Sequence, residues 1–166
     1  SSSMAPGGLV RAQRAAKWVQ AQGADAAAFQ EVAADQLWRM KKVLPRYRFY
    51  PRRTLGPRGS AIQIAWNTKT VKKVQQGYIM RPFLGRQRPI PYVRLRDRDT
   101  GRGFWVVAIH NSPGGHKTER IISTNAQIAL VKRLLRRKQP VFVIGDVNER
   151  SEFCTRFARA TPLHSM

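Results

Sequence analysis

Three short segments of this chain share one design: an apolar run that ends on polar residues able to bind metal or phosphate. They are Ala28-Phe29-Gln30-Glu31, Val106-Val107-Ala108-Ile109-His110-Asn111 and Val143-Ile144-Gly145-Asp146-Val147-Asn148. Apolar runs this short read as buried strands rather than helices. Neighbouring strands that stop this way bring Glu31, His110, Asp146 and Asn148 to one edge of a sheet. Rigid strand ends are where reacting groups are best positioned.

The rest of the pattern places helices and hairpins around these strands. Arg11 to Gln22 carries Ala12, Ala15, Ala16 and Val19 at helical spacing, and Gly23 terminates it. Ala24 to Val32 is the first strand. Ala33 to Leu44 is a second helix, stopped by Pro45. Strands follow at Tyr47 to Tyr50 and Gly59 to Trp66, with one or two more in Val71 to Met80. Ile90 to Leu95 and Phe104 to His110 flank Asp97-Arg98-Asp99-Thr100-Gly101, a turn signal that predicts a hairpin.

A long helix from Glu119 to Arg137 takes Ile121, Ile122, Ala126, Ala129, Leu130, Leu134 and Leu135 as its apolar face. Basic residues crowd its C-terminal end, where cations suit the helix dipole. Pro140 to Ile144 is uninterrupted apolar sequence, the mark of a central strand. A short helix from Arg150 to Arg159 follows. Helices and strands in this order predict α/β layers around a largely antiparallel sheet.

The 166 residues fit a single domain spanning 1–166, with residues 1–9 as a flexible start, and 42% hydrophobic content supplies one core. The charge is strongly biased: 31 Lys plus Arg against 9 Asp plus Glu, a formal net charge of +22. Such a surface attracts polyanions, and nucleic acid is the expected partner because each neutralised phosphate releases a counterion. No acidic residue lies between Asp35 and Asp97. Within that basic stretch Arg52, Arg53 and Arg58, together with Asn111 and Arg150 beside the strand-end motifs, are the candidate contacts to phosphate or nucleic acid.

Among the aromatic residues, Trp18, Trp38, Trp66 and Trp105 are assigned to the core, and Tyr47, Tyr50 and Tyr78 to nucleic-acid contact. The single Cys154 excludes an intramolecular disulfide and any multi-cysteine zinc site, without fixing a cytoplasmic or secreted location. No apolar run reaches membrane-spanning length.

Residue chemistry assigns roles. Glu31 is a hard oxygen ligand suited to Mg²⁺ or Mn²⁺. Asp146 can orient and deprotonate a water or support the metal. Asn148 offers an uncharged amide to a phosphate oxygen. His110 can donate a hydrogen bond or transfer a proton near neutral pH. Each alone has a plainer reading: a solvated strand-end Glu, a structural His, an Asp-x-Asn turn. Their shared context favours chemistry.

Phe29-Gln30-Glu31-Val32, His110-Asn111-Ser112-Pro113 and Gly145-Asp146-Val147-Asn148 together resemble the endonuclease/exonuclease/phosphatase superfamily, whose fold is that of DNase I. The last segment is similar to the family's Gly-Asp-Phe-Asn motif, with Val147 in place of Phe. Asn111-Ser112-Pro113 and Asn148-Glu149-Arg150 are most similar to uncharacterised bacterial members. The resemblance runs from about Val10 to Phe157. It implies a four-layered α/β sandwich with two packed sheets flanked by helices, and Mg²⁺-dependent hydrolysis of a phosphoester. On that implication Glu31 is the metal ligand, and His110, Asp146 and Asn148 are catalytic at the scissile phosphate.

Members also carry an N-terminal strand with an Asn and a C-terminal Asp-His pair. No segment between Ser1 and Met166 matches either; His164 and His116 lie in other contexts. The expectation is therefore a sandwich incomplete at both termini, completed by further sequence or by a second chain. The leading functional expectation is a nuclease acting on DNA or RNA. The alternatives are a basic nucleic-acid-binding protein that keeps the fold without turnover, and a lipid or small-molecule phosphodiesterase.

Overall fold

Strand β6 (Gly103–His110) organises the molecule because both of its faces are apolar. Trp105, Val107 and Ile109 pack on one side, and Val106 and Ala108 on the other. Such a strand needs a layer on each face. The structure, a computed structural model, describes residues 7–52, 55 and 61–164.

The elements are α1 (Gly8–Ala21), β1 (Ala26–Gln30), α2 (Ala34–Val43), β2 (Tyr47–Tyr50), β3 (Ile62–Asn67), β4 (Val71–Phe83), β5 (Arg86–Asp97), then β6. After it come α3 (Lys117–Leu135), β7 (Val141–Asp146) and α4 (Glu152–Ala160). They form a three-stranded sheet in the order β1-β3-β2 and a four-stranded sheet in the order β4-β5-β6-β7. Every pairing is antiparallel except β6 with β7.

Three cores build four layers. α1 and α2 cover the outside of the small sheet through Ala16, Val19, Leu37, Met40 and Leu44. The two sheets meet through Ile64, Trp66, Val93, Leu95 and Val106. α3 and α4 cover the outside of the large sheet through Leu130, Val131, Leu134, Phe153 and Phe157. This is the α/β sandwich of two sheets flanked by helices expected from the sequence.

Local chemistry sets the boundaries. α2 begins where the Gln36 side chain accepts the Ala33 amide at 3.0 Å, which satisfies a donor the helix leaves free. The β5–β6 turn closes on the Asp97 carboxylate, which accepts from the Asp99 and Thr100 amides and the Thr100 hydroxyl. The region from Val71 is one long strand, β4, whose register shifts between Lys73 and Gln75.

Four expectations are corrected. Among the described residues β7 lies at the edge of its sheet, not the centre, and Phe142 and Ile144 are 42% and 38% exposed. They stand beside Ala26 and Phe104 in an open cleft of about 930 Å³. Apolarity reports partly covered faces; it says nothing about a second hydrogen-bonded neighbour.

Trp18 and Trp38 are 66% and 52% exposed, while Trp66 and Trp105 are buried. The faces that α1 and α2 turn inward are built from Ala12, Ala16 and Val19, and from Leu37 and Met40. The Trp38 ring instead carries Lys42 Nζ 4.0 Å above it. Tyr47 and Tyr50 are buried, unlike exposed Tyr78. Tyr47 donates to the Ala24 carbonyl at 2.7 Å, and burial, with Asp25 nearby, pushes its hydroxyl pKa up.

Finally, α3 buries Ser123, Thr124 and Gln127 in its N-terminal half, leaving Ile121 and Ile122 exposed. No helix among the described residues is long and apolar enough to cross a membrane.

The β6–β7 spacing yields a prediction. Gly145 has φ +150°, and a Cβ there would sit 1.9 Å from the Ile109 carbonyl oxygen. Neither backbone has room to move. Gly145→Ala should cost more than about 2 kcal/mol, read by denaturant unfolding. A wild-type midpoint would refute this packing.

Candidate active site

The parallel pairing of β6 with β7 sets His110 directly beside Asp146. The Asn111 amide then donates to the Asp146 carbonyl at 2.9 Å, carrying the pairing one residue past the strand. His110 is 6% exposed. Burial holds its imidazole below the usual histidine range; the Glu31 and Asp146 carboxylates act in the opposite sense, and Arg88 reinforces the lowering. These charges act on one ring although they come from the residue after β1, from β5 and from the end of β7. Phe83 packs against the same imidazole with ring centres 4.7 Å apart, and the Arg88 guanidinium lies 3.9 Å over Phe83.

The loop after β7 is tightly folded. Asp146 Oδ1 accepts the Asn148 amide at 2.8 Å, and Asn148 adopts φ 49°. Asparagine tolerates that left-handed conformation better than most residues. Its Nδ2 donates to the Asn111 carbonyl at 2.7 Å, tying the two strand-end loops together. Glu31 and Arg52 are also left-handed, at φ 55° and 66°. Backbone strain of this kind gathers at functional sites.

Several buried polar atoms here have no protein partner: Gln30 Nε2, His110 Nδ1 and Asn111 Nδ2. Asn111 is 1% exposed, and its Oδ1 accepts from Gln127 Nε2 at 2.7 Å, which leaves its amide donor unused. Unpaired buried donors are uncommon and costly, and a ligand is one way to satisfy them.

Glu31, His110, Asp146 and Asn148 are thus brought together, and Asn111 sits in the same floor. Arg52 is exposed beside β3, its backbone gripped in both directions by the Gln63 side chain at 3.0 and 2.9 Å. Arg150 is exposed at the turn into α4. Arg53 and Arg58 lie outside the described residues.

Two supports had no sequence signal. Glu149, with 3% of its side chain exposed, pairs with Arg120 at 3.2 Å and with Arg156. Arg120 also donates to the Ser112 and Gly114 carbonyls, which fastens the loop after β6 to the loop after β7. Glu119 accepts from the Leu84 and Gly85 amides at the β4–β5 hairpin tip, and from Ser112. Their signal is distributed over five segments of the chain, so no local pattern reveals them.

Among the described residues, no group of three or more His, Cys, Asp or Glu side chains gathers as a metal cage. Mg²⁺ does not need one: it is commonly held by one or two carboxylates, water and substrate phosphate. Exposed Glu31 and exposed Asp146, both acting on His110, fit that pattern.

The endonuclease/exonuclease/phosphatase family model matches residues 6–162, and the chain belongs to that family. Its members are mostly phosphoesterases or nucleases and commonly use divalent metals such as Mg²⁺. Solved structures share the fold. A mannosyl-6-phosphatase from Bacteroides thetaiotaomicron superposes with a TM-score of 0.78 at 22% identity, covering 96% of this chain and 66% of that one. D. rerio TDP2, complexed with single-strand DNA product, gives 0.74 at 17% identity, with 89% and 57% covered. A functionally unknown conserved protein from Enterococcus faecalis gives 0.74 at 15%, with 90% and 63% covered. The chain therefore spans roughly three-fifths of the length of these structures. No curated protein matches the sequence.

Two stability predictions follow from the supports. Glu149→Ala leaves two buried or half-buried guanidiniums without their carboxylate and should cost about 3 kcal/mol, read by thermal or denaturant unfolding. Glu119 is held below the usual carboxylate range, chiefly by the Ser112 hydroxyl and then by the Gly85 amide. A depressed folded pKa gives stability that is present above the unfolded value, about 4.3, and lost as pH falls through the folded one. Glu119→Ala should therefore show a smaller acid-induced drop in melting temperature than the parent; an unchanged drop removes Glu119 from that role.

Proposed function

We propose that this chain is the metal-dependent phosphoesterase region of a nuclease that hydrolyses phosphodiester bonds in DNA or RNA. The observation that carries this reading is the buried His110 ring with its Nδ1 unpaired, acted on by the Glu31 and Asp146 carboxylates, beside the neighbouring unpaired Asn111 Nδ2. Polar groups beside carboxylates suit a phosphate that arrives with a cation.

Glu31 would hold the divalent ion, Mg²⁺ or Mn²⁺, with Asp146 in support; the ion supplies Lewis-acid polarisation of the phosphate. The chain's own groups do the rest. Asn111 Nδ2 donates to a phosphate oxygen without repelling it. Neutral His110 has one donor and one acceptor nitrogen, so it can bind the phosphate or move a proton. Asp146 has one carboxylate oxygen engaged by Asn148, and the other can accept a proton from an attacking water. Asn148 holds the two loops at their working separation through the Asn111 carbonyl. Arg52, Arg53, Arg58 and Arg150 supply positive charge for the nucleic-acid backbone.

A second reading is a basic nucleic-acid-binding protein without turnover. The net charge of +22 and the use of Asn148 Nδ2 inside the protein favour it.

Purified full protein, given Mg²⁺ or Mn²⁺ with single- and double-stranded DNA, RNA, phospholipid and a chromogenic phosphodiester, separates these readings. We expect cleavage of nucleic acid that chelation stops. Glu31→Ala, with an unchanged melting curve, and Asp146→Asn, which keeps an acceptor for the Asn148 amide, should each lower the rate by at least about 100-fold. Full activity in either variant would overturn the assignment, and binding with no product under any metal would favour the second reading.

A further inference from the structure

The outer strands of the two sheets on the side away from β7 are β2 and β4. Between them lies a cleft of about 500 Å³, lined by Arg48, Tyr50, Arg52, Trp66, Lys73 and Gln76 among others. Volumes of this order hold a ligand of nucleotide size. Its walls have no acidic residue. Arg48, Arg52 and Lys73 are exposed, and the ion pairs among the described residues lie elsewhere, at Glu119 and Glu149. Lys73 donates to Gln76 Oε1 at 2.6 Å, a neutral partner that leaves its charge uncompensated. Tyr50 and Trp66 are 7% and 6% exposed, so they form a floor rather than a stacking platform.

The strand register shows where this cleft leads. Arg48 pairs with Trp66 and Tyr50 with Ile64, while Gln30 pairs with Ile62 on the other side of β3. Moving along β2 from Arg48 to Arg52 therefore means moving toward the end of β1 that carries Glu31. Four residues of strand cover roughly 13 Å. At the near end, Gln63, itself fully buried, fixes the Arg52 backbone. The cleft is thus a cationic cavity along the joint between the two sheets, and its Arg52 end lies on the same side as the strand ends of the candidate site.

Resting on the function proposed above, we propose that this cleft holds the single-stranded nucleic acid that flanks the scissile phosphodiester. Arg48, Arg52 and Lys73 neutralise its phosphates in turn, and the apolar floor excludes water beneath the backbone. A flexible single strand can enter a cleft of this size. A duplex, with its phosphates on the outside of a stiff rod, meets only the rim.

The test is binding of a fluorescent single-stranded oligodeoxynucleotide, followed by anisotropy across a salt series in EDTA so that no strand is cut. The variants are Arg48→Glu/Lys73→Glu and, as a charge-matched control on α3, Lys132→Glu/Arg136→Glu. Each phosphate contact contributes about 0.7 to the slope of log K against log salt for single strands. The cleft variant should lose about 1.4 from that slope, and the control far less. Arg48→Gln/Lys73→Gln provides the same reading if the acidic pair fails to fold.

Equal losses in both variants would reduce the effect to general attraction and overturn the proposal. So would an unchanged slope, an equal loss for duplex DNA, or competition by polyglutamate as strong per charge as by DNA. Because binding is read without turnover, an inactive protein leaves this test intact. Cleavage by a protein whose cleft variant keeps its slope would sink the cleft alone.

Discussion

Everything at the candidate site hangs on one parallel strand pair. β6 is covered on both faces, so its position is over-determined by two cores at once. β7 is then held against it through close backbone approach at Gly145, where even a methyl group has no room. This pairing sets His110 level with Asp146 and lets Asn111 hydrogen-bond past the strand end. The inter-sheet core brings β1, and with it Glu31, to the same ring. A site assembled from strand ends inherits the rigidity of the sheets and needs little from its loops.

Where loops do contribute, buried charge stiffens them. Glu149 between Arg120 and Arg156, and Glu119 across the hairpin tip, connect segments that are distant in sequence. In a chain with only nine acidic residues, these carboxylates are used as internal fasteners. The Asp97 carboxylate closes a turn in the same way. The basic cleft between β2 and β4 is left without a compensating charge.

Much of this was legible in the residues. Apolar runs ending on Gln-Glu, His-Asn and Asp-x-Asn announced both the strands and the edge they share, because strand periodicity and strand ends are local signals. The β5–β6 hairpin was equally local, being written in Asp97 to Gly101. What failed was the reading of partners. The face of α3 could not be inferred from apolarity, since its N-terminal half packs over polar strand ends and buries Ser123, Thr124 and Gln127 instead. Trp18 and Trp38 read as core by residue type, but Ala12, Ala16 and Val19 of α1 and Leu37 and Met40 of α2 fill that space. The Arg120–Glu149–Arg156 group joins α3, a loop and α4, and such a triad has no spacing to detect. Edge or centre for β7 depends on its neighbours in the sheet, which its own sequence does not encode.

That edge has a colloidal consequence. Among the described residues Phe142 and Ile144 lie on a strand with no hydrogen-bonded neighbour on its outer side, the kind of surface on which two copies of a protein pair when nothing else covers it. A net charge of +22 keeps such copies apart at low ionic strength. At about 1 M salt the screening length shrinks to about 3 Å, and that guard is gone. Salt that screens the basic surface therefore removes the repulsion that would keep any uncovered strand edges apart.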